Sequence, residues 1–307
     1  MDSPLHAWTI REHVCRVAQR LENELGEEQG TLVEGCQRDW NQWPPPDGPL
    51  RVGIDGGYLR GRNQEGHCEV VAGKSRLAFR REAGEEEEEL SGKCFAFVQT
   101  YEEKPQRRLF EVLRSQGLTM HHQVEFLWDG GEDVRHVQLY WNPEAEQLLD
   151  WFHLTMRLTV LLQTAQGMPE KNGEGEEQYE LRPQVEKQLE SIKWYWWHGN
   201  AFQALNKLES VEMDLEAVAY ESQDDHTRKL LKGVEELHPY VERNQPFLPN
   251  YGERYRHGER IASGFVESAV NPVVSQRMAK LQQMQWSQRG AHLVWSKYSC
   301  GATVVSE

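Results

Sequence analysis

The chain has 307 residues and a formal net charge of −15, enough for one large domain or two smaller ones. No apolar run is long enough to span a membrane and no signal peptide opens the chain, so a cytoplasmic setting is expected. Five scattered cysteines without a Cys-x-x-Cys pair exclude a disulfide framework and a cysteine zinc site. Taken globally the acidity opposes nucleic-acid binding, yet basic residues cluster locally. Residues 251–300 hold seven basic side chains against three acidic, and residues 59–82 hold six against three. A solvated surface is the plainer account of each window.

In chain order, apolar spacing predicts a helix over 9–26, and a three-proline lead-in at 42–48 follows. Strands are expected over 50–54, 67–74 and 94–100, with an acidic loop at 82–89. Pro105 opens a helix ending at Gly117. Residues 124–128 form a fourth strand, 132–140 a short helix and 147–152 a fifth strand. From 153 the pattern turns helical: 153–166, 183–198, 201–220 and 224–241. Asp225-His226 reads as a helix cap rather than a site. A last amphipathic helix over 265–283 carries Glu267. The expected fold is α/β, a mixed sheet with flanking helices, interrupted by an all-helical insertion.

Two stretches share one design. Arg51-Val52-Gly53-Ile54-Asp55-Gly56-Gly57-Tyr58 and Val124-Glu125-Phe126-Leu127-Trp128-Asp129-Gly130-Gly131 each run from an apolar strand into Asp-Gly-Gly. The plain alternative is an Asp-Gly hairpin turn with a solvated carboxylate. If the two strands are neighbours, Asp55 and Asp129 share one sheet edge, and a following helix can add Glu267. Ionised carboxylates crowd together only around cations. Magnesium, with hard oxygen ligands, suits them. Two such ions about 4 Å apart serve phosphodiester chemistry.

The order strand-Asp, strand-Asp, helical block, helix-Glu resembles the ribonuclease H-like nucleotidyl transferases. The chain is most similar to DDE transposases of bacterial insertion sequences, in particular the ISKra group. The matching stretches are Gly53-Ile54-Asp55-Gly56-Gly57-Tyr58, Phe97-Val98-Gln99-Thr100-Tyr101, Arg107-Arg108-Leu109-Phe110-Glu111, Asp129-Gly130-Gly131-Glu132-Asp133, Leu149-Asp150-Trp151-Phe152-His153 and Val266-Glu267-Ser268-Ala269-Val270-Asn271. They lie in order between about residues 50 and 293.

The resemblance implies DNA transposition by metal-dependent strand cleavage and strand transfer. Asp55, Asp129 and Glu267 would be the catalytic metal ligands, for two Mg2+ ions or Mn2+ in their place. It implies DNA partners (element ends and target), a homo-oligomer on DNA, and a bacterial, nucleoid-associated location. The domains it implies are a helical segment and linker at 1–49, a catalytic domain at 50–153 and 251–293, a helical insertion at 154–250 and a tail at 294–307. Asp150-x-x-His153 looks like the family's Asp/Cys-x-x-His motif. In that reading Asp150 orients His153; the alternative is a helix-start histidine bonded to nearby backbone. Asn271 lies one turn after Glu267 as a supporting residue.

Arg60, Arg254, Arg256, Arg277 and Lys280 are candidate DNA contacts. Trp194 and Trp197, within Trp194-Tyr195-Trp196-Trp197, are either helical core or a stacking platform for an extruded base. The short front, Pro272 inside the Glu267 helix, bulky Trp128 before Asp129 and the unmatched tail depart from the family. They support an alternative, a degenerate copy that binds DNA or a partner without catalysis. A structure-selective nuclease of the same fold is a third possibility.

Overall fold

The computed structural model describes residues 7–25, 49–62, 66–77, 92–118, 122–131, 145–169, 181–219, 224–264, 266 and 285–299. These fall into two compact units. The first takes Met1–Gln147 and Ser263–Glu307, and the second takes Leu148–Ala262. Glu267, Asn271, Pro272, Arg277, Lys280, the predicted 132–140 helix, the 82–89 acidic loop and the 300–307 end of the tail lie outside the described residues.

The first unit is built on a mixed five-stranded sheet with flanking helices. Its strands are β1 (Leu50–Arg60), β2 (His67–Leu77), β3 (Lys93–Val98), β4 (Val124–Trp128) and β5 (Glu146–Leu149), in the order β3-β2-β1-β4-β5. β2 is antiparallel to both β1 and β3, whereas β1 runs parallel to β4. Helices α1 (Ala7–Glu24), α2 (Pro105–Arg114) and α8 (Gln288–Ser299) belong to this unit.

Alternation along the strands assigns the two faces. Leu59, Cys68, Val70, Ala72, Ala96 and Val98 form one apolar layer, which Ala291 of α8 completes. On the other face Phe95 lies across Gly73, its register partner. A Cβ at Gly73 would sit 2.4 Å from the Phe95 ring and 2.8 Å from the Gly53 carbonyl. Glycine is therefore required there by close approach.

Strand β1 corrects the sequence reading. It does not stop at Ile54; it runs through Asp55-Gly56-Gly57 to Arg60, paired with β2 throughout. The turn comes later, where the Gly61 amide donates to the Gly66 carbonyl (2.8 Å) and Gly66 takes a φ of 71°. Two glycines read locally as punctuation, but the continuous β2 ladder overrides that propensity. Similarly β5 ends at Leu149, not at residue 152, and the next helix starts at Trp151 because Asp150 caps it.

The second unit contains α3 (Trp151–Gln166), α4 (Leu181–Trp197), α5 (Ala201–Ala219), α6 (Asp225–Asn244), a 3-10 turn (Gln245–Phe247) and α7 (Tyr251–Arg256). Leu154, Leu158 and Leu161 of α3 repeat at helical spacing. So do Val185, Leu189 and Ile192 of α4, Leu208, Val211 and Leu215 of α5, and Leu230, Val234 and Leu237 of α6. These stripes meet in one core together with Trp196 and Tyr251. Gly233 admits Leu161, whose methyl lies 2.5 Å from where a Cβ would stand. The cap of α6 is Asp224, whose carboxylate accepts from the Thr227 amide (2.8 Å), not Asp225-His226.

Candidate active site

The parallel ladder between β1 and β4 sets Leu50 beside Val124, Arg51 beside Glu125, Val52 beside Phe126 and Gly53 beside Leu127. Extending that register by two residues puts Asp55 beside Asp129. Side chains alternate between faces, so Arg51/Glu125, Gly53/Leu127 and Asp55/Asp129 occupy successive rows of one face. Neighbouring strands lie about 4.8 Å apart. The ladder itself ends at Gly53/Leu127, with Asp55 two residues further along β1 and Asp129 the first residue after β4.

Each aspartate is held by its own backbone. Asp55 Oδ1 accepts from the Gly56 amide (2.8 Å), and Asp129 Oδ1 accepts from the Gly131 amide (2.9 Å). Gly130 makes the second turn possible with a φ of 87°, in the left-handed region that other residues avoid. Both side chains are half-buried. Two rows back, the Arg51 guanidinium donates to the Glu125 carboxylate with both side chains under a tenth exposed. Arg51 and Glu125 are also register partners in the β1–β4 ladder. The donor set at the row is oxygen only, which fits a hard divalent cation.

In the second unit, Asp150 is fully buried and serves two donors. Its Oδ1 accepts from the Phe152 amide (3.0 Å) and its Oδ2 lies 2.6 Å from His153 Nδ1. His153 is therefore held by a carboxylate. Burial, with Asp150 nearby, pushes the Tyr251 phenol well above its ordinary pKa, and its hydroxyl donates to the Leu149 carbonyl (2.7 Å).

The DNA-contact candidates divide. Arg60 is exposed at the end of β1. Arg254 is tied to Glu259 (2.9 Å), while Arg256 is exposed. Of the tryptophans, Trp196 is core, Trp194 is 62% exposed, and Trp197 packs between Trp151 and Tyr255.

Sequence reasoning missed one cluster. Arg108 on α2 donates through Nη2 to both oxygens of Glu22 on α1 (2.7 and 2.8 Å) and through Nε to Glu102. His292 of α8 joins them, with Nε2 3.3 Å from Glu22 and 3.5 Å from Arg108. Burial alone would lower the Arg108 pKa, but the two carboxylates outweigh it and raise it. Ligand atoms of Glu22, Glu102 and His292 fall within 4.8 Å of one another, a spacing that also suits a metal. Here a guanidinium already supplies the positive charge. Glu102 lies near Arg108 in sequence, but the other two partners were not legible because Glu22 and His292 are 86 and 184 positions away.

No family model matches the chain, and no curated protein matches it. Among solved structures, "Crystal structure of NurA" is similar at 12% identity over 82% of this chain, with a TM-score of 0.17, too low to carry an argument. The chain spans 64% of the length of that structure.

Proposed function

We propose that the chain is an insertion-sequence transposase of the DDE type, with a ribonuclease H-like catalytic domain interrupted by the helical block. It would cut DNA strands and join a 3′-hydroxyl to target DNA. The observation that supports this reading is that adjacent parallel strands carry Asp55 two residues past their last register pair and Asp129 one residue past the end of β4. A mixed sheet with β1 beside β4 supports the same fold.

In this reading Asp55 and Asp129 hold divalent cations, with Glu267 as the third ligand on the family's pattern. When bound, Mg2+ or Mn2+ would supply activation of the attacking oxygen and charge stabilisation at the leaving oxygen. The protein's part is positioning. The Gly56 and Gly131 amides each fix one carboxylate oxygen, which keeps both headgroups pre-oriented.

The test is cleavage of DNA carrying the adjoining element end, with Mg2+ or Mn2+, comparing the chain with Asp129→Ala. Metal-dependent nicking followed by strand transfer, both reduced to background in the variant, is the expected result. Nicking without strand transfer would replace the transposase by a nuclease. No cleavage by folded, DNA-bound protein would leave a non-catalytic copy.

A further inference from the structure

A strip of aromatic rings reaches the surface of the second unit and belongs to no part of the carboxylate chemistry. It starts in the core, where Tyr251 lies against Trp151 (ring centroids 4.8 Å apart) and Trp151 against Trp197 (5.2 Å). Trp197 then meets Tyr255 at 5.8 Å, and Tyr255 is 64% exposed. One turn before Trp197 on α4 is Trp194, 62% exposed and stacked on His198 at 25°. Residues three and four apart are neighbours on a helix surface, so Trp194, Trp197 and His198 share one face.

The strip is rigid. Gly252 lets the Trp197 indole lie directly on α7, since a Cβ there would stand 2.5 Å from Nε1. Large rings held in place at the surface bury little in the folded chain. They retain flat faces on which another flat group can stack.

Charge narrows the choice of occupant. Lys193, beside Trp194, and Arg256, beside Tyr255, are both exposed, and among the described residues neither forms an ion pair. In a chain of net charge −15, two exposed cations beside stacking rings favour a polyanion. Glu190, one turn before Trp194, bounds the strip at that end. A duplex keeps its base faces covered by its own stack. A single strand offers both the bases and the phosphates that this surface matches.

We infer that the α4–α7 face, built from Trp194, Trp197 and Tyr255 with Lys193 and Arg256, binds single-stranded DNA by base stacking. The site needs no metal and no cleavage, so it stands apart from the catalytic reading.

The experiment uses the full chain in EDTA with a labelled oligodeoxythymidine of about twenty nucleotides, longer than the usual stacking site. The control is an equal-length duplex. Expected are tighter binding of the single strand, with quenching of tryptophan fluorescence, and binding weaker by about thirtyfold or more for Trp194→Ala/Tyr255→Ala. Trp194→Phe, which keeps a ring, retains most of the binding. Lys193→Gln/Arg256→Gln lowers the slope of log K against log salt by about 1.4. Circular dichroism confirms that each variant is folded, as exposed positions predict. The inference is overturned if the chain binds no single strand, or if the double alanine variant binds it undiminished; duplex binding, should it occur, is unchanged in that variant. The probe carries no element end and the buffer no metal, so loss of cleavage and loss of this binding are read separately.

Discussion

Asp129 depends on the residue that follows it. Gly130 turns the chain through a left-handed conformation so that the Gly131 amide can reach back to the carboxylate. Gly130→Ala forces a Cβ into that region at a cost of about 1–2 kcal/mol. The expected result is a lower melting temperature together with weaker metal-dependent cleavage, since the headgroup loses its fixed orientation. In the second unit, Asp224 caps α6. Burial pushes its pKa up, but the Thr227 amide and hydroxyl more than reverse that, leaving it below the ordinary value. A depressed carboxyl stabilises the fold above its unfolded pKa and stops doing so as pH falls through the folded one. Asp224→Ala therefore costs about 1 kcal/mol near neutrality, and the gap closes in acid, below about pH 4. Thermal unfolding of both proteins from pH 7 to pH 3 measures it.

At the scale of elements, the decisive pairing is β1 with β4. Arg51 and Glu125 are register partners in the buried part of that ladder. Removing one partner leaves a charge in the sheet without its counterion, so Glu125→Ala is expected to lose about 3–5 kcal/mol by denaturant unfolding. Arg51→Met/Glu125→Leu is expected to recover most of it, because two apolar side chains replace the pair without an orphaned charge. Much of this layer was legible. The β4 run Val124–Trp128 came out with its limits intact because its apolar residues are continuous and a carboxylate ends them. The limits of β1 did not, because Gly56 and Gly57 look like a turn until β2 is known to lie alongside. The start of α3 was misplaced by two residues, since Trp151 and Phe152 fit a strand as well as a helix and only the Asp150 cap decides. Asp55 and Asp129 were found from repetition of a motif. Tyr255 as a partner of Trp197 was not, because the contact joins two helices far apart in sequence.

For the whole molecule, the first unit is assembled from both ends of the described chain. Glu22, Glu102 and His292 converge on Arg108, so α1, α2 and α8 are joined through a single guanidinium. Arg108→Met is expected to unfold at a temperature well below that of the parent, by the equivalent of about 3–5 kcal/mol, because Glu22 and Glu102 would face each other without it. Limited proteolysis would show whether α1 is lost first.

The second unit, by contrast, is closed at its own ends: the Trp151 amide donates to the Ile261 carbonyl (3.0 Å), stitching its entry to its exit. For the outer chain this shortens a long detour to the width of one hydrogen bond. Closing a loop costs entropy that grows with its length. Once the helices between Trp151 and Ile261 have formed, the two halves of the first unit need only meet across a short gap. The order of assembly follows: the helical unit forms first, and α8 reaches α1 and β3 afterwards. Pulsed hydrogen exchange during refolding should find the amides of α4 and α5 protected before those of α8, and the reverse order would remove the kinetic role of that stitch.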